Sequence, residues 1–363
     1  MIHLVSTFAK RGAELFANSL AYEMNKFGWD VSVVAIANTN GDKISQHDGI
    51  GYIQVSKKKP SLARGFAFLK LALYLRSERP DFVIAHGIFP LISISFFRFL
   101  FPKVRVIYRN MNLHLGSGQV NFRDALKKNA LNTADLLVFP SEKQCHQVME
   151  SYNCDCSNTV ILPRGVDHSF LLREKEKQSV FDELGLTRHE KLVVHVGAFE
   201  PVKNHLGLVS IIRKLREVDQ SVRFVLIGEG ALRSEIEAQL PDGVFSLGYR
   251  DDAERYVAAA DTVVLVSHSE GFGAVLAEAS AYGVPSVVYD VGGVGAVIKD
   301  GLNGSLVPYQ DEDAFCDALL AIVNLSESHK ALMSRQAKAL FQEEFSMEVC
   351  ARRYLDLMSE LPS

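Results

Sequence analysis

Between residues 270 and 278 the chain reads Glu-Gly-Phe-Gly-Ala-Val-Leu-Ala-Glu, two carboxylates set around a glycine-aromatic-glycine turn. The apolar run Thr262 to Val266 comes just before it and an apolar helical pattern begins within it, so the stretch reads as a strand end feeding a helix N-terminus. Unpaired N–H groups and the helix dipole favour a phosphate there, while carboxylates accept hydrogen bonds from sugar hydroxyls. Together these suit a nucleotide-sugar. The competing reading is purely structural, since a glycine at any strand-to-helix turn can simply relieve a tight bend.

The elements that must position these groups come in two similar sets. The first half alternates β-like runs (Ile2 to Val5, Val31 to Ile36, Phe82 to Ile84, Val104 to Tyr108, Leu136 to Phe139) with helical patterns such as Ala13 to Phe27. The second half repeats the scheme with Leu192 to Val196, Phe224 to Ile227, Val244 to Leu247, Thr262 to Val266 and Ser286 to Tyr289. Such alternation predicts parallel sheets wrapped by helices, in two doubly wound units. The expected boundaries are 1–170 and 171–346, with 167–190 as the connection and 347–363 as a final amphipathic helix packing back toward the first unit. Ligands of open α/β sheets bind beyond the carboxyl ends of the strands, which puts the expected site in a cleft between the two units.

Composition narrows the class. With 363 residues, 48% hydrophobic and 23% charged, the chain is an ordinary globular protein large enough for two domains. No apolar run reaches a membrane span of roughly eighteen residues, and no signal core opens the chain, so a cytoplasmic protein is expected. The five cysteines are scattered, and Cys154-Asp155-Cys156 is too cramped for a zinc knuckle; reduced thiols are expected. Residues 1–170 carry 20 Lys and Arg against 13 Asp and Glu, whereas the remainder carries 19 against 30. A basic half suggests an anionic partner, either a phosphorylated acceptor or a membrane surface. No nucleic-acid partner is expected.

Several short motifs recur in a telling order. They are Lys10-Arg11-Gly12-Ala13-Glu14, Pro80 to Gly87, Leu162-Pro163-Arg164-Gly165-Val166-Asp167, Val196-Gly197-Ala198-Phe199-Glu200-Pro201-Val202-Lys203-Asn204-His205, Ile227-Gly228-Glu229-Gly230, Ser267 to Gly273 through Glu278-Ala279, and Ala281 to Pro285. In this order they resemble glycosyltransferase family 4, over nearly the whole chain. The resemblance implies the GT-B fold, two Rossmann-like domains facing across a cleft, and a retaining sugar transfer from a UDP- or GDP-linked donor. It implies a glycan or lipid-linked glycan acceptor, in envelope, capsule or exopolysaccharide assembly. A sugar-nucleotide epimerase of the same architecture and a non-catalytic nucleotide-sugar-binding partner are the alternatives.

The same resemblance assigns roles. Glu278 would accept hydrogen bonds from the ribose, and Glu270 would hold the transferred sugar. Backbone N–H groups around Phe272, Gly273, Ala274 and Val275 would face the donor phosphates, and Lys203 would be the cation for the leaving diphosphate. Gly228, Tyr249 and Arg250 belong to loops expected to meet the nucleotide. Gly12 would let the first loop approach the donor, His86 would position the acceptor from a strand end, and Arg11 and Arg109 are candidate anion contacts. Two positions depart from the family pattern. Ala198 stands where a second diphosphate cation is common and Ala296 where a carboxylate is, with Arg164, Lys299 or Arg11 as possible substitutes.

Asp311-Glu312-Asp313 superficially resembles a metal-binding Asp-x-Asp, but its place before the apolar run Ala314 to Val323 reads as a helix N-terminus. No catalytic metal or other cofactor is expected. Finally, Lys57-Lys58-Lys59-Pro60 followed by Leu62, Arg64, Phe66, Phe68, Leu69, Lys70, Leu73 and Arg76, with Phe96 to Phe101 beyond, is basic and apolar together. It reads either as a core helix or as an interfacial helix on anionic lipid, which would make the protein peripheral to the inner face of the cytoplasmic membrane.

Overall fold

The computed structural model describes residues 1–38, 43–57, 65–111, 122–154, 157–167 and 172–361. Lys58, Lys59, Pro60, Leu62, Arg64 and Cys156 lie outside the described residues. The chain forms two compact units, Met1–Gly165 with Met347–Ser363 and Val166–Ser346. The division falls before residue 170 because Val166 already belongs to the second unit, its N–H donating to the Phe345 carbonyl at 2.8 Å.

The first unit is built on seven parallel strands, β1 (Ile2–Val5), β2 (Ser32–Ala35), β3 (Gly51–Gln54), β4 (Phe82–His86), β5 (Arg105–Arg109), β6 (Leu136–Phe139) and β7 (Thr159–Ile161), ordered 3-2-1-4-5-6-7. The second has six, β8 (Lys191–Val196), β9 (Val222–Ile227), β10 (Val244–Gly248), β11 (Thr262–Leu265), β12 (Ser286–Tyr289) and β13 (Gly304–Val307), ordered 10-9-8-11-12-13. Every pairing between these strands is parallel among the described residues; Ile2, for instance, lies opposite both Ser32 and Val83. Helices cover both faces of such sheets, which is why β1, β6, β11 and β12 are buried at every position and read as unbroken apolar runs.

Each sheet has one point where strand order reverses, between β1 and β4 in the first unit and between β8 and β11 in the second. The loops leaving the carboxyl ends of those strands diverge and leave a crevice, the usual ligand position in doubly wound sheets. In the second unit these are the loops that lead to Lys203 and to Glu270.

Helix patterning follows the same logic. Gly12–Lys26 buries Phe16, Ala17, Leu20, Ala21 and Met24, an apolar stripe at helical spacing. It packs against the C-terminal helix Met347–Glu360, which buries Cys350, Ala351, Tyr354 and Met358 in the same cluster. Helix Ala274–Tyr282 starts at Gly273 (φ 72°) and stops at Gly283 (φ 71°), both left-handed, a conformation glycine adopts without a Cβ penalty. Asp311 caps helix Glu312–Val323, its carboxylate accepting from the Ala314 N–H at 2.9 Å, while Lys214 pairs with Glu312 at 3.0 Å and Asp313 at 2.9 Å. The acidic run is therefore a helix start. Among the described residues no helix is long and apolar enough to cross a membrane.

Candidate active site

At the reversal point of the second sheet, two hydrogen bonds draw the two loops together. The loop after β8 ends in a 3-10 turn, Pro201–Lys203, and the loop after β11 runs to Gly273. The His268 N–H donates to the Val202 carbonyl at 2.8 Å, and the Asn204 amide donates to the Val266 carbonyl at 3.0 Å. Asn204 adopts the left-handed conformation (φ 54°) and its Oδ1 accepts from the Gly207 N–H at 3.2 Å, capping helix His205–Val218. With the backbones so fixed, the Lys203 ammonium donates to Glu270 Oε1 at 2.6 Å, and the Ser267 hydroxyl donates to the same oxygen at 2.7 Å. The lysine side chain keeps 24% of its surface and the glutamate 9%, so the pair sits at the rim of its unit, partly wet.

Glu270 is also gripped from behind. The Gly293 N–H donates to its carbonyl at 2.8 Å, and a Cβ on Gly292 (φ 57°) would lie 1.8 Å from that same oxygen. Gly292 is a residue that sequence reasoning missed; the Gly-Gly pair after β12 was its only signal. Beyond Glu270, the Phe272 ring turns into the core, edge to face with Phe345 at 5.9 Å, so only its backbone is offered outward. The N–H groups of Ala274 and Val275 fall in the first helical turn, where no helical carbonyl precedes them. Glu278 lies one turn on, stacked along the helix over Ala274.

Beneath the pair sits a histidine couple that sequence reasoning also passed over. His195, fully buried on β8, has Nδ1 2.9 Å from the Val264 carbonyl. A carbonyl only accepts, so Nδ1 carries the proton and Nε2 is left as a lone pair beneath Gly197, whose virtual Cβ would stand 3.2 Å from it. The His205 ring stacks on Phe199 at 4.1 Å and meets His195 edge-on at 4.9 Å. Burial lowers both, His195 to about 4 and His205 to about 3, with the nearby Lys203 charge adding to the effect. Both rings are neutral at pH 7, and Lys203 is the cation of this cluster.

Other expected donor residues find mixed settings. Gly228 (φ 149°) is needed by the fold itself, since a Cβ there would be 2.0 Å from the Gly197 carbonyl. Tyr249 is 61% exposed, with its hydroxyl on Asp251 at 2.8 Å. Arg250 is forked onto Asp252 at 2.8 and 3.0 Å and faces Glu183 at 3.5 Å, so its charge is matched locally. Ala198 is exposed.

At the reversal point of the first sheet the arrangement is different. His86 was expected to reach an accessible edge from the end of β4; its ring is instead enclosed, Nε2 3.1 Å from His3 Nδ1 and edge-on to Phe16 at 5.8 Å. Burial lowers His3 to about 3 and holds His86 well below its ordinary value, with Arg109 and Arg164 reinforcing the latter. Arg109 is likewise enclosed at 1% exposure, its Nη1 donating to the Leu162 carbonyl at 2.7 Å and its guanidinium 5.4 Å from the Phe16 ring. Arg164 stands at the same distance from that ring and donates to the Gly12 carbonyl at 3.0 Å. Gly12 itself faces open space, a virtual Cβ meeting only Arg164 at 3.7 Å, and Arg11 beside it is exposed.

A cleft of about 690 Å³ opens elsewhere in the second unit, between Arg173, Lys177, Asp261, Pro285 and Lys330. It lies by the amino ends of β11 and β12, and its Asp261 is spent on Lys177 at 2.6 Å and on the Leu192 N–H at 2.9 Å. The carboxyl-end cluster is the better candidate for chemistry. No group of three metal-ligating side chains occurs among the described residues.

Two parallel sheets with these strand orders define the GT-B fold, and solved structures agree. The chain superposes on the Anabaena protein Alr3699/HepE, determined with UDP and glucose, with a TM-score of 0.79 over 99% of each chain at 18% identity. It also superposes on a glycosyltransferase from Rickettsia africae with a TM-score of 0.83 over 99% and 97% at 16% identity. Within that fold, residues 10–170 match the model for Glycosyltransferase Family 4 and residues 190–324 match that for Glycosyl transferases group 1. Each unit therefore carries its own glycosyltransferase match. Among curated relatives, it is 28% identical over 255 residues to the D-inositol 3-phosphate glycosyltransferase of a Nocardioides species, covering 64% of this chain and 55% of the relative. It is 30% identical over 178 residues to the N-acetyl-alpha-D-glucosaminyl L-malate synthase of Bacillus anthracis, covering 47% and 46%. The matched stretch spans about half the length of these relatives.

Proposed function

We propose that the protein is a retaining glycosyltransferase that moves a hexosyl group from a UDP- or GDP-linked sugar to a hydroxyl of a glycan or lipid-linked glycan, in envelope, capsule or exopolysaccharide assembly. The observation that carries this reading is the Lys203–Glu270 pair, held at the strand-order reversal beside the first turn of helix Ala274–Tyr282. A diphosphate entering there meets the Lys203 ammonium and the N–H groups of Gly273 to Val275, and Lys203 leaves Glu270 for it. Glu270 is then released to accept hydrogen bonds from sugar hydroxyls, and Glu278 does the same for the ribose. The known partners of the relatives point the same way, since HepE was determined with UDP and glucose.

In the reaction the bond between the anomeric carbon and the phosphate oxygen breaks, and the acceptor oxygen bonds to that carbon from the same face. The acceptor proton passes to the leaving phosphate oxygen. A fixed cation at that oxygen stabilises its growing charge more in the transition state than in the ground state. Lys203 and the helix turn supply the positive potential, so this reading needs no divalent metal, and a chelator is expected to leave turnover unchanged. Arg11 lies on the acceptor side of this reading, with Arg164 beside Gly12 as an added cation, while His86 and Arg109 are enclosed and would act only by supporting the loops. Two named relatives act on a phosphate-bearing inositol and on malate, which favours an acceptor that carries an anionic group.

The decisive measurement is a thermal-shift screen over nucleotide-diphosphate sugars followed by a transfer assay with the purified chain. A donor that binds the folded state raises its melting temperature. Exposed, uncharged Ala198 favours a second reading, a partner that binds the donor without turning it over. Binding without transfer or donor hydrolysis would select that second reading.

A further inference from the structure

Helix Gly65–Glu78 in the first unit is apolar on two opposite faces. Phe68, Leu71, Ala72 and Leu75 are buried in the core cluster with β1, β4 and β5. On the other side Phe66 is 71% exposed and Leu73 51%, with exposed Lys70 between them. Positions 66, 70 and 73 are separated by four and three residues and form one stripe. The helix packs beside the Arg98–Leu100 turn, where Phe99 is 72% and Phe96 47% exposed. A core helix of a water-facing unit needs only one apolar face; a cluster of large apolar side chains left on the outside marks an interaction surface.

We infer that this stripe and turn form a docking surface for an anionic lipid bilayer. The chemistry of the surface selects that occupant. The Lys70 ammonium stands 5.0 Å over the Phe66 ring, a stem-along-apolar, charge-outward posture suited to a headgroup layer. Lys57, before the helix, and Lys103, just after the Arg98–Leu100 turn, are exposed. The segment leading into the helix reads Lys-Lys-Lys-Pro-Ser-Leu-Ala-Arg over 57–64, and residues 96–105 carry three basic and no acidic residues. The acids Glu78 and Asp81 lie at the far end of the helix, roughly 18 Å from Phe66. Arg98 and Arg105 are both spent on Asp135, at 3.0 and 3.6 Å, which leaves Lys103 as the unmatched charge of that stretch. Aromatic insertion combined with basic attraction is the two-part signal that gives stable yet reversible membrane binding. An acidic protein would match the charges but leave four outward apolar groups without a greasy partner.

The inference deepens the proposed reading only in giving a lipid-linked acceptor a place to be met; donor chemistry does not depend on it. The test is co-sedimentation of the full chain with phosphatidylglycerol-containing vesicles and with phosphatidylcholine vesicles, at low and high salt. Binding to anionic vesicles is expected to exceed that to neutral ones by about tenfold and to weaken in salt. Phe66→Ser with Phe99→Ser is expected to lower it by about tenfold or more, and Lys70→Glu by several-fold. A donor-induced melting shift kept by the same variants shows that fold and donor site survive, which separates failure here from failure of the functional reading. Absent or charge-blind vesicle binding by the wild type, or unchanged binding by the serine variant, overturns the inference. So does a wild-type dimer that the serine substitutions convert to a monomer without any vesicle binding.

Discussion

The two reversal points share a plan and differ in how they treat charge. Each central strand carries a buried, neutral histidine, His3 on β1 and His195 on β8, touching a second ring, His86 or His205. In the second unit the adjacent cation, Lys203, has a carboxylate at 2.6 Å and both partners retain some solvent. In the first unit the adjacent cation, Arg109, is enclosed and bonds a backbone carbonyl. A partly wet lysine on a flexible stem can exchange its carboxylate for a phosphate at modest cost, whereas an enclosed guanidinium cannot move without opening the core. The second unit therefore holds the exchangeable charge, and the first holds a fixed one.

The comparison breaks most visibly in turnover. Under the proposed function, Glu270→Ala and Lys203→Ala should each lower kcat by about 10²–10³-fold with the fold intact, the range seen when a transition-state charge contact is removed. Arg109→Met should leave kcat within a few-fold and act on stability, because it strips the Leu162 carbonyl of its donor at a cost of about 1–3 kcal/mol. If Arg109→Met abolished transfer while melting normally, the fixed charge would belong to the chemistry as well.

Acid should weaken both units. His3, His195 and His205 have folded values near 3, 4 and 3, below the unfolded value of 6.5. The unfolded chain then binds more protons between those limits, so stability is complete above about pH 6.5 and falls as pH drops toward 4. Each such histidine contributes roughly 1.4 kcal/mol per pH unit across that window. Urea unfolding at pH 7 and pH 5 measures the slope, and His195→Asn should flatten it. Equal stability at the two pH values would show that the rings are hydrated or ionised in the native state.

Gly292→Ala probes how firmly Glu270 is held. The added Cβ meets the Glu270 carbonyl and the residue must also take a left-handed φ, so a loss of about 2–3 kcal/mol is expected. The donor-induced melting shift should fall with it. The corresponding change at Gly12, where space is open, should leave stability nearly unchanged and act, if at all, on donor affinity.

How much of this was legible in the chain follows from what each signal depends on. The nine interior strands and the five-residue edge strand β10 announced themselves as apolar runs, while the other edge strands, β3, β7 and β13, of three or four residues, did not. An edge strand is covered less completely, so Gly51–Gln54 and Thr159–Ile161 carry no continuous apolar pattern. Local motifs marked Glu270, Lys203 and the glycine turn, but the ion pair joins residues 67 apart, and only the sheet order brings them together. The His86 reading failed on exposure: a strand end was foreseen, the Phe16 ring that covers it was not. Gly228 was read for ligand approach, and the Gly197 backbone turns out to use its missing Cβ.

The smallest expected effect is the sharpest test of the exchange idea. Ser267 and Lys203 share one oxygen of Glu270, and when Lys203 departs for a phosphate the Ser267 hydroxyl is the contact that keeps the carboxylate aimed. A single neutral-to-charged hydrogen bond contributes about 1.5 kcal/mol, so Ser267→Ala should lower kcat about tenfold or less. Ser267→Thr, which keeps the hydroxyl, should restore most of it. The loss should appear in kcat more than in KM, because the serine matters most once the lysine has left. A rise in KM with kcat unchanged would mean that Ser267 supports donor binding uniformly, and Lys203 would then have to remain on Glu270 throughout the reaction.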